Sequence, residues 1–163
     1  MSDAHLKRSA QLIQHALRAK GLSCEVKELP DTTRSAQEAA KAIGCEVAEI
    51  AKSLVFRNID QDVPVLVIAS GPNRVDEAKI SEILTCDIEM ASPDYVREST
   101  GFAIGGVPPL GHKTPLTTLI DQDLMSFDEI WAAAGTPFSV FMIEPHALVE
   151  ATQARIVEVQ GSR

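Results

Sequence analysis

Aromatic residues are scarce in this chain. One Trp, one Tyr and five Phe make up 4% of 163 residues, which excludes a nucleic-acid surface built on rows of stacked rings. Positive charge is also short, with 15 Lys and Arg against 23 Asp and Glu and a net charge of −8. Such a chain is repelled by phosphate at long range and lacks the electrostatic footprint of a duplex-DNA binder. A local basic rim is still possible, from Arg34, Lys41, Arg57, Arg74 and Lys113. The three cysteines, Cys24, Cys45 and Cys86, lie far apart with no C-x-x-C pair. Neither a zinc ribbon nor a dithiol redox site has a basis, and reduced thiols in the cytoplasm are expected. No apolar run approaches the ~20 residues that span a bilayer, and residues 1–8 lack the apolar stretch of a signal peptide. The expectation is a soluble cytoplasmic protein with no membrane partner.

What is present is globular. Apolar residues are 45% and charged residues 23%, with nine Gly and nine Pro. At this length a single domain over residues 1–163 is expected. Apolar groups at Leu6, Ala10, Ile13, Ala16 and Leu17 recur at helical spacing over residues 3–20, and Gly21 is the stop. Cys24–Leu29 alternates as a strand. Ser35, with Glu38 three residues on, opens a second helix with a capping box, and a short third helix is expected over Val47–Ala51. Strands follow at Ser53–Asn58 and Val63–Ser70, the second apolar throughout as if buried on both faces. A helix over Asp76–Leu84, a strand over Asp87–Met90 and a helical turn over Ser92–Glu98 lead to a Gly/Pro-rich loop at 100–115. Strands at Leu116–Ile120, Glu129–Ala133, Phe138–Ile143 and Arg155–Val159, with a helix over Pro145–Thr152, complete the chain. Hairpins mixed with crossovers predict an α+β fold on a mixed sheet.

Two places stand out chemically. The stretch Gly101-Phe102-Ala103-Ile104-Gly105-Gly106-Val107-Pro108-Pro109-Leu110-Gly111-His112 has four Gly and two Pro in twelve residues. Glycine permits positive φ and close approach while proline stiffens the path, so this loop either is a structural Ω-loop or aims backbone N–H groups at a ligand oxygen. It is neither a Walker A loop nor a Rossmann fingerprint. Lys52, between Ile50-Ala51 and Leu54-Val55, either lies with its stem packed and its head in water or sends its ammonium into a partly apolar cleft to polarise a carbonyl. Of the histidines, only His112 has a place near a site, and there a hydrogen bond that fixes the loop is its expected duty. Asp121 reads as a helix cap. Ser139 lies in no nucleophile motif, and no acid pair or metal-ligand cluster is spaced for catalysis.

Three segments carry a resemblance. R-S-A-Q-E-A-A-K-A-I-G-C-E-V-A-E-I-A-K-S-L-V-F-R at Arg34–Arg57, G-F-A-I-G-G-V-P-P-L-G-H at Gly101–His112 and I-W-A-A-A-G-T-P-F-S-V-F at Ile130–Phe141 occur in that order. The chain resembles, over roughly residues 20–160, the YbaK/ProX family, freestanding relatives of the editing insertion domain of bacterial prolyl-tRNA synthetase. The resemblance implies a curved, barrel-like mixed sheet flanked by helices. It also implies hydrolysis, in trans, of the ester that joins a mischarged small amino acid (alanine, 2-aminobutyrate, serine, threonine or cysteine) to tRNA. Lys52 matches the family's functional lysine, and Gly105 and Pro109 match the ends of its G-x-x-x-P turn. Lys52, Gly105 and Gly106 are thus expected at the reacting ester. Val107, Pro108, Pro109, Gly101, His112, Phe138 and Ser139 are expected to bind substrate; Phe138 and Ser139 stand where some members carry a histidine or other polar group. No metal or cofactor is implied. The partner is the acceptor end of an aminoacyl-tRNA, with an aminoacyl-tRNA synthetase as a possible second one. Two other readings fit the residues. One is a catalytically idle module that holds aminoacyl-tRNA or a synthetase; the other is a hydrolase of small aminoacyl esters or thioesters not joined to tRNA.

Overall fold

A computed structural model of the chain describes residues 6–30, 32–33 and 35–161. Arg34 and His5 therefore lie outside the described residues. Its centre is a hairpin of two long strands, β1 being the short Val26–Glu28, β2 Ile50–Asn58 and β3 Val63–Ser70. β2 and β3 pair antiparallel from Ala51 opposite Ser70 to Asn58 opposite Val63. Around them lie β4 (Ile88–Met90), β5 (Thr117–Asp121), β6 (Ile130–Ala133), β7 (Ser139–Ile143) and β8 (Arg155–Val157). The eight strands form one mixed sheet in the order β1-β7-β6-β2-β3-β5-β8, with β4 on β2 beside that path. The β2–β6, β3–β5 and β5–β8 pairs are parallel and the others antiparallel. Five helices flank the sheet: α1 (Arg8–Ala19), α2 (Ala36–Ile43), α3 (Glu77–Leu84), α4 (Pro93–Thr100) and α5 (Pro145–Thr152).

The apolar run of β3 explains its central place. Val65 to Ala69 are 0–1% exposed, and the strand's period of two divides them between two cores. Leu66 and Ile68 pack with Ile13, Leu17, Ile120 and Phe141 on one face. Val65, Val67 and Ala69 pack with Phe56, Ile80 and Leu119 on the other. Each fully buried Leu or Ile contributes ~1.5–3 kcal/mol.

α1 starts later than expected, at Arg8, and Lys7 before it gives no side-chain cap, whereas α2 and α4 start at their sequence signals. Ser35 Oγ accepts the Glu38 N–H at 3.1 Å, and Gly44, at φ 90°, ends α2 in the left-handed region that glycine tolerates. Ser92 caps α4 through the Tyr95 N–H, and α4 runs two residues beyond the expected Glu98, to Thr100. The short helix expected over Val47–Ala51 needs correction. Only Val47–Glu49 forms a 3-10 turn, because Ile50 and Ala51 pair with Trp131 and Ala132 of β6 and so begin β2 early. Pairing between residues eighty positions apart overrides the local helical preference. β3 has the expected bounds, Val63–Ser70, and the other expected strands begin or end one to two residues from their observed bounds. No helix among the described residues is long and apolar enough to cross a membrane.

Candidate active site

The early start of β2 puts Lys52 inside a strand, not at a helix–strand join. Its register partner is Ala69 of β3. Val67 pairs with Leu119 and Ile68 with Ile120 on β5, so one step on, Asp121 stands beside Ala69 in the same row of the sheet. The Asp121 carboxylate is buried, 1% exposed, and fully engaged. One oxygen accepts from Ser70 N at 3.0 Å and Asn73 Nδ2 at 2.8 Å, and the other from Asp123 N at 2.9 Å. Asp121 is thus a cap, as expected, and also a buried charge facing along the row to Lys52. Burial pulls the Lys52 ammonium below the ordinary lysine range, and the negative charge of Asp121 opposes that fall. The Lys52 ammonium makes no hydrogen bond or ion pair to another described residue.

The Gly/Pro-rich loop folds as an Ω-loop with Phe102, Val107 and Leu110 turned inward and Ile104 left exposed, in keeping with its structural reading. Val107 and Leu110 are 3% exposed and join the core beneath the sheet. Its base is closed by Lys113 N to Thr100 O at 3.0 Å. Gly101 is the left-handed cap of α4, at φ 87°. The Gly106 N–H is already spent on Ala103 O at 3.0 Å, and Pro108 and Pro109 have none. Gly105 and Val107 are therefore the residues of the G-x-x-x-P turn whose N–H groups are free to meet a ligand. Gly106 instead allows a backbone contact: a Cβ there would lie 2.8 Å from the Thr136 main chain, so the loop rests directly on the turn between β6 and β7.

His112 closes the loop from behind. Its Nε2 lies 2.6 Å from Pro108 O, which can only accept, so that nitrogen carries the proton. Burial holds the ring below the ordinary histidine value of 6.5, with the Pro108 carbonyl opposing. The unfolded chain then binds more protons than the native one as pH falls through and below 6.5. This contribution to stability is complete above that pH and is lost below it. Denaturant unfolding of His112→Gln, followed between about pH 4 and 8, should lack this part of the acid-side fall seen in the parent.

These elements enclose a cleft of about 740 Å³. Its walls come from Thr33 and the start of α2, from Ile50 to Val55 of β2, from Met90, Ala91 and Val96, from Ile104, Gly105 and Val107, and from Trp131 to Ala133 and Pro137 to Val140. Of the expected site residues, Lys52, Gly105, Val107, Phe138 and Ser139 line it together. Gly101, Gly106, Pro108, Pro109 and His112 do not; they shape the loop from beneath and behind. Ser139 Oγ is bound to Thr136 Oγ1 at 2.6 Å and is 0% exposed, which suits a turn-fixing role. The α2 wall and Trp131 were not expected from the residues. Trp131 carries the ammonium of Lys27 5.3 Å from its ring centre and gives the cleft its largest flat surface. Among the described residues of the lining, Lys52 is the one that is charged, and the others are apolar with a few hydroxyls. Among the proposed rim, Arg57 is tied to Asp62 at 2.7 Å and Glu89 at 2.8 Å. Lys41, Arg74 and Lys113 are exposed, and none of these four lines the cleft.

An unpaired ammonium and free loop amides around an apolar cleft suit an ester already activated for attack, and comparison with known proteins agrees. The family model described as the aminoacyl-tRNA editing domain matches residues 30–151. The chain belongs to that family, and it is a hydrolase of the aminoacyl-tRNA ester bond. A solved structure described as a "putative trans-editing enzyme for prolyl tRNA synthetase" superimposes with a TM-score of 0.93 at 44% identity, covering 96% of this chain and 99% of the other. The uncharacterised protein YwhH of Bacillus subtilis strain 168 is 31% identical over 132 residues, 81% of this chain and 83% of YwhH. Proline–tRNA ligase of Limosilactobacillus fermentum is 35% identical over 91 residues, which are 53% of this chain but 16% of that enzyme.

Proposed function

We propose that the protein clears small amino acids, of the alanine, 2-aminobutyrate, serine, threonine and cysteine class, from mischarged tRNA in trans, in the cytoplasm. The observation that carries this reading is the Lys52 ammonium, the one charge among the described residues of an apolar cleft whose loop wall offers the Gly105 and Val107 N–H groups. No carboxylate, imidazole or thiol lines the cleft among the described residues, so no side chain there is an evident general base. An aminoacyl ester needs little more than a positioned water and donors for the oxygen that becomes negative. In this mechanism water attacks the ester carbonyl, and the oxyanion is met by the Lys52 ammonium and the loop amides. The C–O bond to the ribose breaks, and the water's proton passes to the departing ribose oxygen with help from the neighbouring hydroxyl. Free amino acid and uncharged tRNA leave.

The cleft volume falls in the range of small-molecule sites, about 300–1,000 Å³, which suits a terminal aminoacyl-adenosine. Likeness along nearly its whole length to a structure named for prolyl-tRNA synthetase supports tRNA for proline as the carrier and that synthetase as the partner. The exposed Lys41, Arg74 and Lys113 then serve as a local rim for the tRNA. The test is deacylation of tRNAs charged with Ala, Ser, Thr, Cys and 2-aminobutyrate, with Lys52→Ala alongside. Rapid loss of one ester that depends on Lys52 is the expected result. No hydrolysis, with tRNA or synthetase binding intact, would leave a binding module instead. Equal rates on tRNA and on a 3′-aminoacyl adenosine fragment would favour a small-ester hydrolase. Pocket size is set partly by Phe138. Phe138→Ala should raise the rate on a larger ester relative to a smaller one by roughly tenfold, since a pocket discriminates by ~1–3 kcal/mol per methylene; paired rates on threonyl and alanyl esters would show it.

A further inference from the structure

β2 has a gap along one side. β3 pairs with it throughout on the other side, but on this side β4 covers only Phe56–Asn58 and β6 only Ile50–Ala51. In a strand the N–H and C=O of one residue point to the same side, and the side alternates from residue to residue. Val55 C=O accepts from Ala91 N at 3.2 Å, just past the end of β4, so Val55 and, two residues back, Ser53 direct their backbone groups into the gap. The Ser53 N–H and C=O and the Val55 N–H meet no partner among the described residues. Across the gap β6 stops pairing with β2 after Ala132. Ala134 N–H turns to Ser139 O on β7, so the Ala133 C=O faces β2 and is open as well. Ser53 Oγ is shielded from solvent and also lacks a hydrogen-bond partner among the described residues.

Ser53, Val55 and Ala133 all line the cleft. Polar backbone and hydroxyl groups left open at a sheltered site are costly unless a ligand meets them. The other serines of the lining are committed: Ser35 Oγ to the Glu38 N–H at 3.1 Å and Ser139 Oγ to Thr136 at 2.6 Å. An esterified amino acid brings one strong donor, its α-amino group, and no carboxylate lines the cleft among the described residues to receive it. The acceptors that the described residues leave open there are neutral.

We propose that the gap between β4 and β6 is the subsite for the α-amino group of the substrate, held by the Ser53 and Ala133 carbonyls and the Ser53 hydroxyl. This rests on the deacylase reading and adds to it a demand for a free amine: esters of N-acylated amino acids bind poorly and are spared.

The test uses two hydrolysis-resistant amide analogues of 3′-alanyl adenosine, one with a free amine and one N-acetylated. The free-amine analogue should shift the ¹⁵N–¹H signals of Leu54 and Ala134, the amides that follow the two carbonyls, and bind at least about tenfold more tightly than the acetylated one. Ser53→Ala should weaken the free-amine analogue several-fold, leave the acetylated one unchanged, and not lower the thermal midpoint. A merely structural hydroxyl would not separate the two ligands. Equal affinities, shifts confined to other parts of the cleft, or no binding of either analogue would overturn the subsite. Hydrolysis of alanyl- and N-acetylalanyl-tRNA separates this failure from that of the deacylase reading: equal, Lys52-dependent rates sink the subsite alone, whereas inert aminoacyl esters sink the reading of function.

Discussion

Lys52→Ala should lower single-turnover deacylation by about 100-fold or more, as loss of one donor to a developing oxyanion does in other acyl-transfer sites. The expectation rests on position. Lys52 is held in the strand by its pairing opposite Ala69, and its ammonium is the one charge among the described residues of the lining. Burial pulls the ammonium below the ordinary lysine range, and the Asp121 carboxylate, along the same row, opposes that pull. Shortening the side chain to alanine leaves the backbone ladder intact, and circular dichroism should show an unchanged fold. Lys52→Arg keeps the charge but spreads it over a planar fork, and an intermediate rate is expected. An alanine variant that folds and deacylates at the parent rate would remove Lys52 from the chemistry.

Gly106→Ala is expected to be the second most damaging change, although Gly106 does not line the cleft. The added methyl would meet the Cα and carbonyl carbon of Thr136 at 2.8 Å and its nitrogen at 3.0 Å. Backbone atoms cannot swing aside as a flexible side chain would, so the loop and the β6–β7 turn must part. Overpacking of this kind costs ~1–3 kcal/mol. The larger effect is on rate, because moving the Gly105 and Val107 N–H groups by about 1 Å is enough for ~100-fold. Gly21→Ala is the control. Gly21 is at φ 76° with nothing near its Cβ position, so that variant should lose roughly 1 kcal/mol from backbone strain while its deacylation rate is preserved. Thermal unfolding and deacylation measured on both variants would separate strain from displacement of the loop.

Much of the fold was legible because several local signals agree with the tertiary contacts. The N-cap at Ser35 (one half of the expected capping box), the stop at Gly21 and the apolar run of β3 each encode their element without help from distant residues. The start of β2 was not legible, since Ile50 and Ala51 become strand only when β6 arrives beside them. At the site, Lys52 and the glycine loop stood out because their composition is unusual for their surroundings. The split within that loop was hidden. Gly105 faces the cleft while Gly106 is pressed against Thr136, and nothing in G-G tells one glycine from the other. The α2 wall and the role of Trp131 were invisible for a similar reason: Ala36, Ala39 and a lone Trp read as ordinary packing until the sheet curves toward them.

The cleft walls are drawn from short stretches scattered between Thr33 and Val140, and no two consecutive elements make up a working half. The central sheet shows the same long reach, with β1 hydrogen-bonded to β7 and β2 to β6. Catalytic competence therefore requires the sheet to be assembled from β2 through β7, since the loop and the ammonium face one another only across the completed cleft. Turnover is for the same reason a stringent gauge of global order, and heat or denaturant should extinguish it no later than the loss of the sheet.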